Sequence, residues 1–146
     1  TLKDKNMSDN PISLASLMTP SKTVTIDFPG YKGMTVDLCY LAREELVKLR
    51  KRCVTTKFSK KTRQAEEELD EERFLAEYCK AVIKGWSGLK YRYLEELLLV
   101  DISSLDPEGD LAYTQDNSEL LMKNSGIFDT WVTETVGELE NFTGTR

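Results

Sequence analysis

Residues 22–38 read KTVTIDFPGYKGMTVDL, and this stretch decides the fold class. Val24, Ile26 and Phe28 alternate with Thr23, Thr25 and Asp27. After Pro29-Gly-Tyr-Lys-Gly33, the alternation resumes with Met34, Val36 and Leu38 on one side. Period two, a cluster of turn residues, and period two again predict a β-hairpin over 22–39. A lone two-stranded ribbon is marginal in water, so its apolar face must pack on helices or on another chain.

Working outward, the period changes. Ala42, Leu46, Leu49 and Cys53 step by four, three and four, the stripe of a helix within Leu41–Val54. Residues 55–69, TTKFSKKTRQAEEEL, show no apolar periodicity and a sharp change of charge sign, and read as a long exposed connection. Leu75, Tyr78, Val82 and Trp86 predict an amphipathic helix over Asp70–Trp86, with acids in its first turn and a stop at Gly85-Trp86-Ser87-Gly88. Tyr91–Val100 reads as a leucine-rich helix. Thr114 N-caps a short helix through Met122. Phe128, Val132, Thr135, Leu139 and Phe142 extend a last helix over 127–142. On the other side of the hairpin, Ile12–Met18 makes one or two helical turns stopped by Thr19-Pro20, an apolar plug in search of a surface. The expected fold is α+β but mainly helical: an N-terminal hairpin followed by about five α-helices. The expected organisation is a polar leader over 1–11, one domain over 12–143 and a short tail over 144–146.

Composition narrows the function. With 146 residues, 40% hydrophobic and 31% charged, the chain has the make-up of one ordinary globular domain. Its longest aliphatic run, Leu97–Val100, is far short of the ~20 residues of a membrane span, and no membrane partner is expected. Residues 1–10 carry no secretory pattern. There is no histidine, the commonest general base and metal ligand. Cys39, Cys53 and Cys79 have no CxxC spacing and read as packed thiols. No phosphate-binding or nucleophile-elbow motif is present. No catalysis, cofactor or metal is therefore expected.

The net charge of −5 conceals segregation. Residues 43–63 hold nine Lys or Arg against Glu44 and Glu45, whereas 95–119 hold eight acids and no base. Without an aromatic ladder or a glycine-rich reading loop, the basic block does not point to nucleic acid. Opposite blocks suit head-to-tail contact between copies, a heterologous interface that salt weakens.

Several stretches together carry a resemblance. SLASLMTPSKTV (13–24) leads into the hairpin, followed by YLAREELVKLRKR (40–52), the basic KFSKKTRQ (57–64) and the acidic EEELDEERF (66–74). AVIKGWSGLKYRYLEELL (81–98) contains a Trp86-Ser87-Gly88 turn, LAYTQDNSELLMKN (111–124) a Tyr-Thr-x-x-Asn and Leu-Leu pattern, and the chain closes near Glu140-Asn-Phe142. In this order, the segments resemble the tail assembly chaperones of long-tailed, non-contractile bacteriophages. The resemblance implies a non-catalytic protein of the host cytoplasm that binds the tape measure protein, keeps it soluble and recruits tail tube protein, in part through a longer frameshifted form. Self-association fits the same picture. A structural tail or head–tail joining protein that stays in the virion is the alternative. The expected partner-binding residues are Leu14, Leu17 and Met18 of the plug, Lys57, Phe58, Lys60, Lys61 and Arg63 of the connection, and the aromatics Trp86, Trp131 and Phe142.

Overall fold

In a computed structural model of the protein, the described residues are 11–19 and 21–143, so most of the expected leader and the whole of the expected tail lie outside them. Among the described residues the chain forms six α-helices and five strands, in the order α1 (Leu14–Leu17), β1 (Thr23–Asp27), β2 (Thr35–Cys39), α2 (Arg43–Arg52), β3 (Val54–Ser59), β4 (Gln64–Leu69), α3 (Glu71–Val82), β5 (Ile83–Ser87), α4 (Tyr91–Leu97), α5 (Gln115–Asn124) and α6 (Gly126–Val136). A 3-10 turn, Leu139–Asn141, follows.

The hairpin forms as its alternation dictates. Val24 pairs with Leu38 and Ile26 with Val36, antiparallel, and Phe28 N–H donates to Met34 O at 3.0 Å to close the loop. A mainly helical fold with one N-terminal hairpin is nevertheless incorrect. The strands are spread through the chain and make two antiparallel sheets, one of three strands in the order β1-β2-β5 and one of two, β3-β4.

Two segments account for the difference. The helix expected over 70–86 ends at Val82, and Ile83–Ser87 pair with β2 instead. Val36 and Leu38 are fully buried on β2, and a central strand leaves buried backbone groups unpaired unless both edges are occupied. Ile and Trp suit a strand, and Gly85, poor in a helix, sits opposite Asp37, where a Cβ would come within 3.0 Å of the Asp37 carboxylate. Lys84 reaches back and donates to Lys80 O at 2.9 Å, covering a terminal carbonyl of α3. Gly88, rather than Gly85, is the residue in the left-handed region (φ +74), and a Cβ there would lie 2.1 Å from Gly33 O.

The second segment is 54–69, which forms a ribbon of six cross-strand pairs from Val54↔Leu69 to Ser59↔Gln64 rather than an irregular connection. Its basic and acidic arms face each other, with Lys57 opposite Glu66 and bound to Glu68 at 3.2 Å. Opposite charges across a ladder stabilise the pairing without any buried face.

The helices cover the inner face of the three-stranded sheet. Phe128 of α6 is fully buried at the centre, edge-on to Phe28 (5.7 Å) and Trp86 (6.3 Å), with Trp131 beside it. Thr114 and Ser125 cap α5 and α6, accepting from the Asn117 and Phe128 N–H groups. The last helix is shorter than its stripe suggests: α6 stops at Val136 before Gly137, Leu139 is exposed, and Phe142 returns to the core through the 3-10 turn and packs 5.4 Å from Tyr40. The leucine-rich helix also ends early, at Leu97.

All three cysteines are free and buried. Burial foremost, then the negative charge of Glu119, pushes the Cys79 thiol from its ordinary 9.0 to about 12. The folded protein therefore holds this proton where the unfolded chain releases it. Its contribution to stability is complete below pH 9 and is lost as the pH rises through about 12. Alkaline unfolding monitored by circular dichroism is expected to move to higher pH in Cys79→Ala relative to the shift in neutral-pH stability. Phe128→Ala, which empties the centre of the core, is expected to cost about 3–5 kcal/mol in urea unfolding. Gly88→Ala is expected to cost more than about 2 kcal/mol from backbone strain and the clash with Gly33.

Candidate interaction surface

The expected partner-binding residues separate into three groups. Leu14, Leu17 and Met18 lie on or beside the single turn α1, with Ile12 just before it, and all four are exposed, Leu14 by 72%. The turn is held locally: Ser16 N–H and Oγ both contact Ser13 O, and Met18 N–H donates to Leu14 O at 3.2 Å. Four large apolar side chains in seven residues, without cover from the described residues, make an adhesive patch at the start of the fold.

The second group rides on the β3-β4 ribbon. Six paired residues extend about 20 Å, and residues 55–58 and 64–68 are exposed throughout. Lys60, Lys61 and Arg63 form the turn at the tip, where Arg63 takes φ +56 and its N–H donates to Ser59 O at 2.7 Å. The alternation of the ladder puts Phe58 on one face with Val54, Ala65 and Leu69, and Lys57 on the other with Glu66 and Glu68. Phe58 is 68% exposed. The basic block of residues 43–63 is thereby divided between α2 and the tip of the ribbon.

The third group belongs to the core. Trp86 is half-buried on β5, donates from Nε1 to Leu111 O at 2.9 Å and stands edge-on to Tyr113 at 5.0 Å. Trp131 is half-buried against Phe28 at 4.8 Å, and Phe142 is buried. These rings are not brought together with the plug or the ribbon in one patch; they fix the sheet to the helices.

Sequence reasoning missed a groove of about 380 Å³ between α3 and α5, lined by Glu72, Leu75, Asp116, Glu119, Leu120 and Lys123. Leu120 is 56% exposed while its neighbours Leu121 and Met122 are buried. Three consecutive apolar residues cannot all face one core from a helix, and that was the available signal. Elsewhere, Glu108 ties the 101–113 loop to the start of α4 through Lys90 and Arg92, both at 2.7 Å, and the Lys90 hydrogen bond first of all holds its carboxyl below the usual carboxylate range. Among the described residues no three His, Cys, Asp or Glu side chains gather as metal ligands, and no helix is long and apolar enough to cross a membrane.

A scan against protein-family models and searches of curated proteins and solved structures find no match to this chain.

Because the Phe58 ring packs on so little, Phe58→Ala is expected to change the unfolding free energy by less than about 0.5 kcal/mol. Urea titration checks this, and a loss of several times that value would mean that the ring is held by the fold.

Proposed function

We propose that the chain is a non-catalytic assembly chaperone that holds an apolar, helical client, the tape measure protein of a phage tail, in soluble form and helps bring tail tube protein to it as a head-to-tail oligomer in the host cytoplasm. The observation that carries this reading is the exposed plug, Ile12, Leu14, Leu17 and Met18, on and beside one helical turn. A turn this short gains little from its own hydrogen bonds and orders best against a second apolar surface. Leu14 and Leu17, three apart, present one face to an amphipathic helix, and the flexible Met18 fills an irregular contact. The order of short motifs supplies the class of client, and the plug supplies the surface that such a client needs. The segregated charge supports self-association.

Co-expression with a tape measure protein tests the proposal. The wild-type chain is expected to keep the client in the soluble fraction and to co-elute with it. The triple variant Leu14→Ser, Leu17→Ser, Met18→Ser is expected to lose at least about tenfold of that capacity, as removal of apolar anchors does at interfaces, with an unchanged melting temperature. Equal client recovery with the variant overturns the assignment of the plug. A chaperone departs when assembly is complete, so the chain is expected to be absent from purified particles. Recovery there as a regular component overturns the chaperone role in favour of a structural one.

A further inference from the structure

We propose that the ribbon tip of one copy docks into the α3-α5 groove of a second copy, so that copies link head to tail in an open chain. The inference deepens the self-association part of the proposed function and is independent of the client.

The two surfaces complement each other in apolar character and in charge. The ribbon offers one large apolar side chain, Phe58, beside the tip cations Lys60, Lys61 and Arg63. The groove is lined by half-buried Leu75 and exposed Leu120 together with Glu72, Asp116 and Glu119. None of these three acids and none of the tip cations forms an ion pair with another described residue. Lys123, one turn beyond Leu120 on α5, is the groove's cation, and Glu67, which the register places on the Phe58 face of the ribbon, is the ribbon's complement to it. An aromatic anchor set in a pocket and ringed by complementary charge is the arrangement that concentrates binding energy at protein interfaces.

Geometry directs the contact to another molecule. The ribbon base is joined to α3, with Asp70 N–H donating to Cys53 O at 2.7 Å, and Leu75 lies within two turns of that junction. The tip stands about 20 Å out from the same junction, farther from it than the groove's α3 wall at Glu72 and Leu75. The ribbon and the groove are different surfaces of one chain, so after a contact forms one copy keeps a free groove and the other a free ribbon. A heterologous contact of this kind propagates instead of closing as a two-fold dimer.

Two point variants, their mixture and a charge-reversed double variant test the proposal by sedimentation velocity of the full chain at about 50 mM and about 500 mM salt, which alters charge screening several-fold. Wild type is expected to form species that grow with concentration at low salt and shrink at high salt. Phe58→Asp and Leu120→Asp, both changes at exposed side chains, are each expected to remain monomeric with wild-type melting. Their equimolar mixture is expected to give a one-to-one dimer and nothing larger, because one intact groove meets one intact ribbon and the remaining surfaces are blocked. Lys60→Glu with Lys61→Glu, far from the core, is expected to weaken assembly at least about tenfold. Oligomers unchanged by the variants, or a mixture that stays monomeric, overturn the ribbon–groove contact while self-association stands. A wild-type monomer at low salt overturns both, and neither result bears on client binding by the plug.

Discussion

Strand β2 must be paired along both edges. It carries Val36 and Leu38 at the floor of the core, fully removed from water, so its backbone groups on either side need partners in the protein. The hairpin turn supplies β1 on one side. The other side is filled by Ile83–Ser87, far downstream in the chain, and the rest of the architecture follows from that requirement. Helix α3 stops at Val82 so that the chain can run back along β2, and Trp86 is thereby carried over Phe128. The next turn then passes so close to the hairpin loop that only a residue without a side chain fits at position 88. The W-x-G turn is thus a packing joint between strand, loop and helix, not the end of a helix.

The legible parts of the fold were those with a buried face. The 22–39 hairpin showed in its alternation because one side of each strand faces the helices. The stripe through Leu46, Leu49 and Cys53 showed in α2 for the same reason, and Thr114 announced α5 by its capping chemistry. The failures have specific causes. Trp86 falls in step with Leu75, Tyr78 and Val82, so the helical period runs on past the true end of α3; only the tertiary need of β2 breaks it. Residues 54–69 have no apolar alternation because neither face of their ribbon is covered, and their order is written in the facing of Lys57 and Glu66. Leu139 and Phe142 kept the spacing of a helix across Gly137, where the chain changes to a 3-10 turn.

The candidate surface was legible to different degrees. The plug stood out because a short apolar run, Ile12–Met18, is closed in the sequence by Thr19-Pro20. Phe58 stood out as a lone aromatic in a charged stretch. The groove between α3 and α5 did not, since its two walls are more than forty residues apart in sequence and join only where the helices pack. The tryptophans illustrate the converse: large rings on apolar stripes are suggestive in sequence, but here their edges meet other rings, and the indole of Trp86 is occupied by the Leu111 carbonyl.

The position of the ribbon in the chain has one more consequence. Lys60, Lys61 and Arg63 form a fully exposed turn of the kind that trypsin-like proteases enter first. The core lies on both sides of this point: Phe28, Val36 and Leu38 come before it, Ile83, Phe128 and Val132 after it. A nick at the tip would therefore yield two fragments that share one sheet across the β2-β5 pairing and one set of packed rings. Such fragments remain joined by non-covalent packing, which makes the turn a natural seam for fragment complementation and for inserting a reporter into an otherwise intact molecule.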